Sequence, residues 1–178
     1  MGLAIPSQIL ALLTFPGVVL HEFMEQLFCR WLGVAVLKVV YIRFGNPAGY
    51  VTHEPKLDLR RSLWIALGPF FLNSLLGALV ALPAALTAWE FRVTSTPSYI
   101  LAWLGISISM HALPNPEDAA SLWRALWTPQ TPLMTRLLAA PLVGLARIFS
   151  AGRVIGLDLV YGVAIVGALP ALLLYALR

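Results

Sequence analysis

Within the stretch GVVLHEFMEQLFCR (17–30), His21, Glu22 and Glu25 are three ionisable side chains in otherwise oily surroundings. At about 100° per residue, helix positions four apart nearly superimpose, so His21 and Glu25 can grip one ion while Glu22 points to its side. That is the arrangement of H-E-x-x-H, in which the two outer residues bind zinc and the intervening Glu acts as general base on a water. Here the pattern reads H-E-F-M-E, with Glu25 at the second ligand position. A carboxylate is a legitimate zinc ligand, although an anion in place of a neutral imidazole leaves the metal less electrophilic. The plainer alternative is a polar helix end, solvated or paired with Arg30 and Arg43. Inside an apolar span, however, ionisable residues are expensive and point to function.

The elements that must position these residues follow from composition. Of 178 residues, 60% are hydrophobic and only 11% charged, with a mean hydropathy of +0.83. Ordinary soluble domains are about 45–50% apolar and about 25% charged. The expected fold is therefore an all-α polytopic membrane protein, a single integral membrane domain over 1–178. It has about four transmembrane helices and a small β-hairpin between the first two. Pro16-Gly17 interrupts the first apolar stretch, so the metal-motif helix is expected over 17–33. Residues 34–55 place β-branched and aromatic runs on either side of Gly45-Asn46-Pro47-Ala48-Gly49, which signals a hairpin. Spans are expected at about 62–89, 97–113 and 154–177. In the first of these, Gly68, Ser74, Gly77 and Ala81 permit close helix packing. Between the last two lie a short helix, with Asp118 suited to its N-terminal end, and the ambiguous segment 132–150. There Arg136 and Arg147 share a helical face, which suits an interfacial amphipathic helix as well as a span.

Twelve Lys and Arg against eight Asp and Glu leave a net charge of +4. On so apolar a chain, with no dense basic run, the excess reads as topology and lipid-headgroup contact, not nucleic-acid binding. Lys38, Arg43, Lys56, Arg60 and Arg61 fall in the 34–61 loop, and Arg124, Arg136, Arg147 and Arg153 in 114–153. Both regions can lie on the cytoplasmic side, provided 132–150 does not cross. The expected location is multi-pass in a membrane, the plasma membrane of a prokaryote, with lipids as partners. The lone Cys29 excludes an intramolecular disulfide and any multi-cysteine metal site.

Three segments, in order, resemble the site-2 protease family of intramembrane zinc metalloproteases. They are His21-Glu22-x-x-Glu25, Gly68-Pro69-Phe70-Phe71-Leu72-Asn73, and Leu113-Pro114-Asn115-Pro116-Glu117-Asp118. The second is one residue longer than the family's Gly-Pro-x-x-Asn element. In the third, Ala119 stands for the usual Gly and His111 for the usual Asn. The resemblance covers about two thirds of the chain, including the hairpin, which is similar to the family's membrane-associated sheet. It implies one Zn2+ held by His21 and Asp118, with Glu22 as catalytic base and a membrane-protein or peptide substrate. Glu25 as a ligand rests on its helical position alone.

Other polar residues admit two readings each. Asp118 is either a ligand or a helix N-cap. His53 and His111 are alternative ligands or substrate contacts, or else make interfacial hydrogen bonds, and His53 serves best if the hairpin folds back over the site. Asn73 contacts a substrate backbone or makes a helix-to-helix polar contact. The expected activity is zinc-dependent hydrolysis of peptide bonds in or near the membrane. The alternative is a catalytically inactive relative that binds a partner transmembrane helix. Nothing in the sequence sets the oligomeric state.

Overall fold

In this computed structural model, residues 7–54 and 58–176 are described. Lys56 and the expected end points at 55 and 177 lie outside them. The described residues begin with α1 (Ser7–Leu13) and α2 (Phe15–Trp31), separated at Thr14. Pro16 stands in the first turn of α2, where its missing N–H costs no intrahelical bond. The proline therefore starts the helix, and the motif helix begins two residues before the expected Gly17.

Strands β1 (Val36–Val40) and β2 (Tyr50–His53) form an antiparallel pair, with Val39 opposite Val51 and Val40 opposite Tyr50. The hairpin lies on α2. Val34, Val36 and Val51 pack with Phe28, Cys29 and Ile65, and the Tyr41 hydroxyl donates to Gln26 Oε1 at 2.7 Å. Arg43 covers the face of the Tyr50 ring, 4.9 Å from its centroid, anchoring the loop that connects the strands.

Helix α3 (Leu59–Trp89) is the axis of the fold and packs on α2, α4 (Thr96–Met110), α5 (Pro116–Leu126) and α7 (Leu157–Ala176). Small residues set these approaches, as their spacing suggested. A Cβ on Gly77 would overlap the Ser109 side chain of α4, and one on Gly68 would overlap the Phe28 ring of α2. Ser74 meets the Tyr161 hydroxyl of α7 at 2.6 Å. At the N-terminal end of α3, Leu59, Ala66 and Leu67 join Leu122, Ala125 and Leu126 of α5 in a cluster. Ala139, Val143 and Ala146 of α6 (Leu133–Gly152) complete it.

Helix α6 reverses the polarity of a soluble surface helix. Its buried stripe is small and its outer face carries Leu137, Leu138, Leu142, Leu145 and Ile148, all exposed. The two arginines do share a face, and each leans on α5: Arg136 lies 5.2 Å from the Trp127 ring and Arg147 5.4 Å from that of Trp123. Among the described residues two helical segments are long and apolar enough to cross a membrane. They are α3 and Leu133–Ile155, which is α6 with the turn that follows it. Helix α4, with 15 residues, is shorter than a span requires.

Candidate metal centre

The start of α2 is clasped to α4. The backbone N–H of Gly17 donates to Ser107 Oγ at 2.9 Å, and Ser107 Oγ donates to the Thr14 carbonyl at 2.8 Å. A side chain on Gly17 would collide with the Ser107 carbonyl, so only glycine allows the helices this close. One turn further along α2, His21 then faces the turn that follows α4.

That turn is governed by Asn115. Its Oδ1 accepts from the backbone N–H of Glu117 at 2.8 Å and of Asp118 at 2.9 Å, so Asn115 is the N-cap of α5. The capping role considered for Asp118 thus falls three residues earlier. The Asp118 carboxylate is free to turn toward α2, where its Oδ2 lies 3.9 Å from His21 Nε2. This is too long for a hydrogen bond.

Ligand atoms of His21, Glu25 and Asp118 all lie within 4.8 Å of one another, an arrangement that could hold a metal ion. Two donors each about 2 Å from one ion are at most about 4 Å apart, close to what is seen here. The donor set fits such an ion in a second respect. Both His21 nitrogens, Glu25 Oε2 and Asp118 Oδ2 are buried without a hydrogen-bond partner. Most buried polar atoms in folded proteins are paired, and leaving one unpaired costs about 1–3 kcal/mol. One donor atom from each of the three residues converges from the two helices, and a cation there would satisfy them.

Glu22 stands beside this group, 4% exposed, with its Oε2 also unpartnered. The hairpin closes over it: a Cβ on Gly49 would sit 2.7 Å from Glu22 Cγ and 2.9 Å from the Tyr41 carbonyl oxygen. Gly49 therefore lets backbone pass directly against the candidate base. The hairpin does fold back over the site, but with Gly49 and not with His53. His53 ends β2, with Nδ1 2.9 Å from the Glu54 carbonyl oxygen, outside the three-ligand group.

His111 follows α4 and lies near the site, yet its Nε2 is 2.9 Å from Thr14 Oγ1. The single proton of that hydroxyl goes to the Leu10 carbonyl at 2.7 Å. Thr14 must then accept from His111, which fixes the hydrogen on Nε2 and ties the imidazole to the junction of α1 and α2. His111 also stands outside the ligand group.

Asn73 is fully buried in α3, and neither its Nδ2 nor its Oδ1 has a hydrogen-bond partner, so the helix-to-helix bond considered for it is not made. An unpaired buried amide costs more than an apolar group of the same shape. Asn73→Leu is accordingly expected to hold or raise the melting temperature in detergent, by up to about 4 °C. A fall of several degrees would mean that the amide is satisfied within the fold.

Arg153, which by sequence reads only as a topology signal, also belongs to this neighbourhood. Its Nη2 donates to the Leu113 carbonyl at 2.9 Å, and its charge acts first on the buried Asp158 of α7 and then on Asp118 and Glu22. No local pattern marks it, since it follows α6 and reaches the site only through tertiary packing. No known protein family, curated protein or solved structure matches this chain.

Proposed function

We propose that this protein is an intramembrane zinc-dependent metalloprotease that cleaves peptide bonds of membrane proteins or peptides. The observation that carries the reading is the convergence of His21, Glu25 and Asp118, with Glu22 buried beside them. Histidine with two carboxylates is a zinc-compatible donor set with room for a fourth position. A divalent ion held there supplies Lewis-acid polarisation of a carbonyl and makes water more acidic. Glu22 does the proton work: it takes a proton from the attacking water and delivers it to the leaving amine as the peptide bond breaks. The site is buried, and Gly49 lets the hairpin backbone lie against the base.

A membrane setting, proposed to have about four crossings, draws support from the apolar outer faces of α3 and α6 and from exposed aromatic residues at two levels. Trp31 and Trp64 both pack on Phe28 at one level, and Trp89 and Tyr99 are exposed near the α3–α4 connection at the other. Trp64 and Trp89 lie about 37 Å apart along α3 at 1.5 Å per residue. That falls between the roughly 30 Å of a hydrocarbon core and the roughly 40–45 Å of a whole bilayer, where aromatic belts gather. Arg30, Arg60 and Arg61 sit at the Trp31 and Trp64 end, which supports placing that end on the cytoplasmic side.

The test is cleavage of tagged single-span peptides by purified protein in liposomes. Cleavage is expected to stop when a chelator strips the metal and to return with Zn2+. Cleavage that survives stripping, or zinc-loaded protein that cuts nothing across a varied panel, would sink the reading. In the second case the carboxylate at Glu25 favours the inactive protein that binds a partner helix.

A further inference from the structure

Between α6 and α7 the chain makes a short 3-10 turn, Arg153–Ile155, bounded by Gly152 and Gly156. Gly156 has φ of +78°, a conformation that side chains resist. A Cβ on Gly152 would overlap the Leu157 side chain. The turn is built with charge inward and grease outward. Val154 and Ile155 are 91% and 78% exposed, whereas the Arg153 guanidinium is drawn inside, its Nε buried and unpartnered. Removing a guanidinium from water is costly, and a surface turn would normally do the opposite.

Inside, Arg153 grips one specific atom. Its Nη2 donates to the carbonyl oxygen of Leu113 at 2.9 Å, across 40 residues of sequence. Leu113 begins the turn Leu113-Pro114-Asn115-Pro116, which the Asn115 cap continues directly into the first turn of α5 and Asp118. The prolines stiffen the segment, so fixing its first carbonyl fixes the direction in which the carboxylate emerges.

We propose that Arg153 is a positioning residue of the metal centre: by holding the Leu113 carbonyl it sets the turn that delivers Asp118 to His21 and Glu25. This rests on the metal-site reading above and adds to it a residue from outside the three sequence segments that suggested the site. Partners behind the ligands of a metal site are worth about 10–100-fold in affinity.

The sign of the effect separates positioning from charge. A cation beside a divalent-ion site repels the ion, so by charge alone the loss of Arg153 would tighten binding. Positioning demands the reverse. Zn2+ affinity would be measured by competition with a chelating indicator on detergent-purified wild type, His21→Ala, Arg153→Met and Arg153→Lys. The expected result is binding by wild type, lost in His21→Ala, weakened 10–100-fold in Arg153→Met and restored to within about fivefold by lysine, which can still donate to a carbonyl. Equal or tighter binding by Arg153→Met, with wild type binding and His21→Ala silent, overturns the positioning role and leaves the metal site standing. Wild type that binds no Zn2+ removes both. If Arg153→Met is not recovered folded, Arg153→Leu, which likewise cannot donate, carries the same comparison: weaker binding than wild type supports the role, and equal or tighter binding overturns it.

Discussion

Alanine at His21 or at Glu25 is expected to abolish metal retention, taking a detergent-purified protein from about one ion per chain to background. The loss in affinity should exceed the roughly 10–100-fold associated with groups that only support ligands, because each of these side chains supplies one of three converging donors. Glu25 provides a sharper signature. It is 2% exposed and its Oε2 has no hydrogen-bond partner, so without an ion it is a buried carboxylate held at a cost. Glu25→Leu should therefore bind no metal, yet melt at or above the temperature of metal-stripped wild type. Wild type should gain stability on adding metal, about 2.7 kcal/mol at a hundredfold excess over Kd, and the variant none. Elemental mass spectrometry with paired melting curves checks both parts. A Glu25→Leu protein that retains metal, or that melts well below stripped wild type, would show that Glu25 belongs to the packing and not to the site.

Glu22→Gln should lower cleavage about 10²–10⁴-fold while leaving metal content unchanged. The substitution keeps the shape under Gly49, where the hairpin backbone passes close to the Glu22 side chain, and removes only the capacity to take a proton. Glu22 is not one of the three clustered donors, so the ion should stay. Metal content and cleavage measured on the same preparation separate the two roles. Undiminished cleavage would rule Glu22 out as the base. A protein that cleaves nothing but whose affinity for a partner helix is the same in both forms would be the inactive binder.

The helix bearing His21, Glu22 and Glu25 was legible because its information is local: four-residue spacing puts two donors on one face wherever a helix forms. The proline near its start, the hairpin around its Gly/Asn/Pro loop and the long apolar α3 were legible for the same reason. Each depends on a few neighbouring residues or on total hydrophobicity. The place of Asp118 near a helix start is legible from sequence, but whether it caps that helix is not. Two acceptors in one turn, Asn115 and Asp118, can each serve as a cap, and only the fold shows Asn115 taking it.

What tertiary structure decided is everything that depends on which surfaces meet. Of the three histidines it brings only His21 into the ligand group, leaving His53 at the end of a strand and His111 hydrogen-bonded to Thr14. It sets Gly49 over Glu22 and turns Arg153 inward to Leu113. It also lays Arg136 and Arg147 against α5, so that α6 presents an apolar outer face where periodicity alone left a charged one possible. Side-chain chemistry and helical period nominate His21 and Glu25 as candidate donors from local sequence. Their assembly required contacts between residues as far apart as Arg153 and Leu113, or Gly17 and Ser107, whose pairing depends on the packing of whole helices and not on any stretch of chain short enough to carry a pattern.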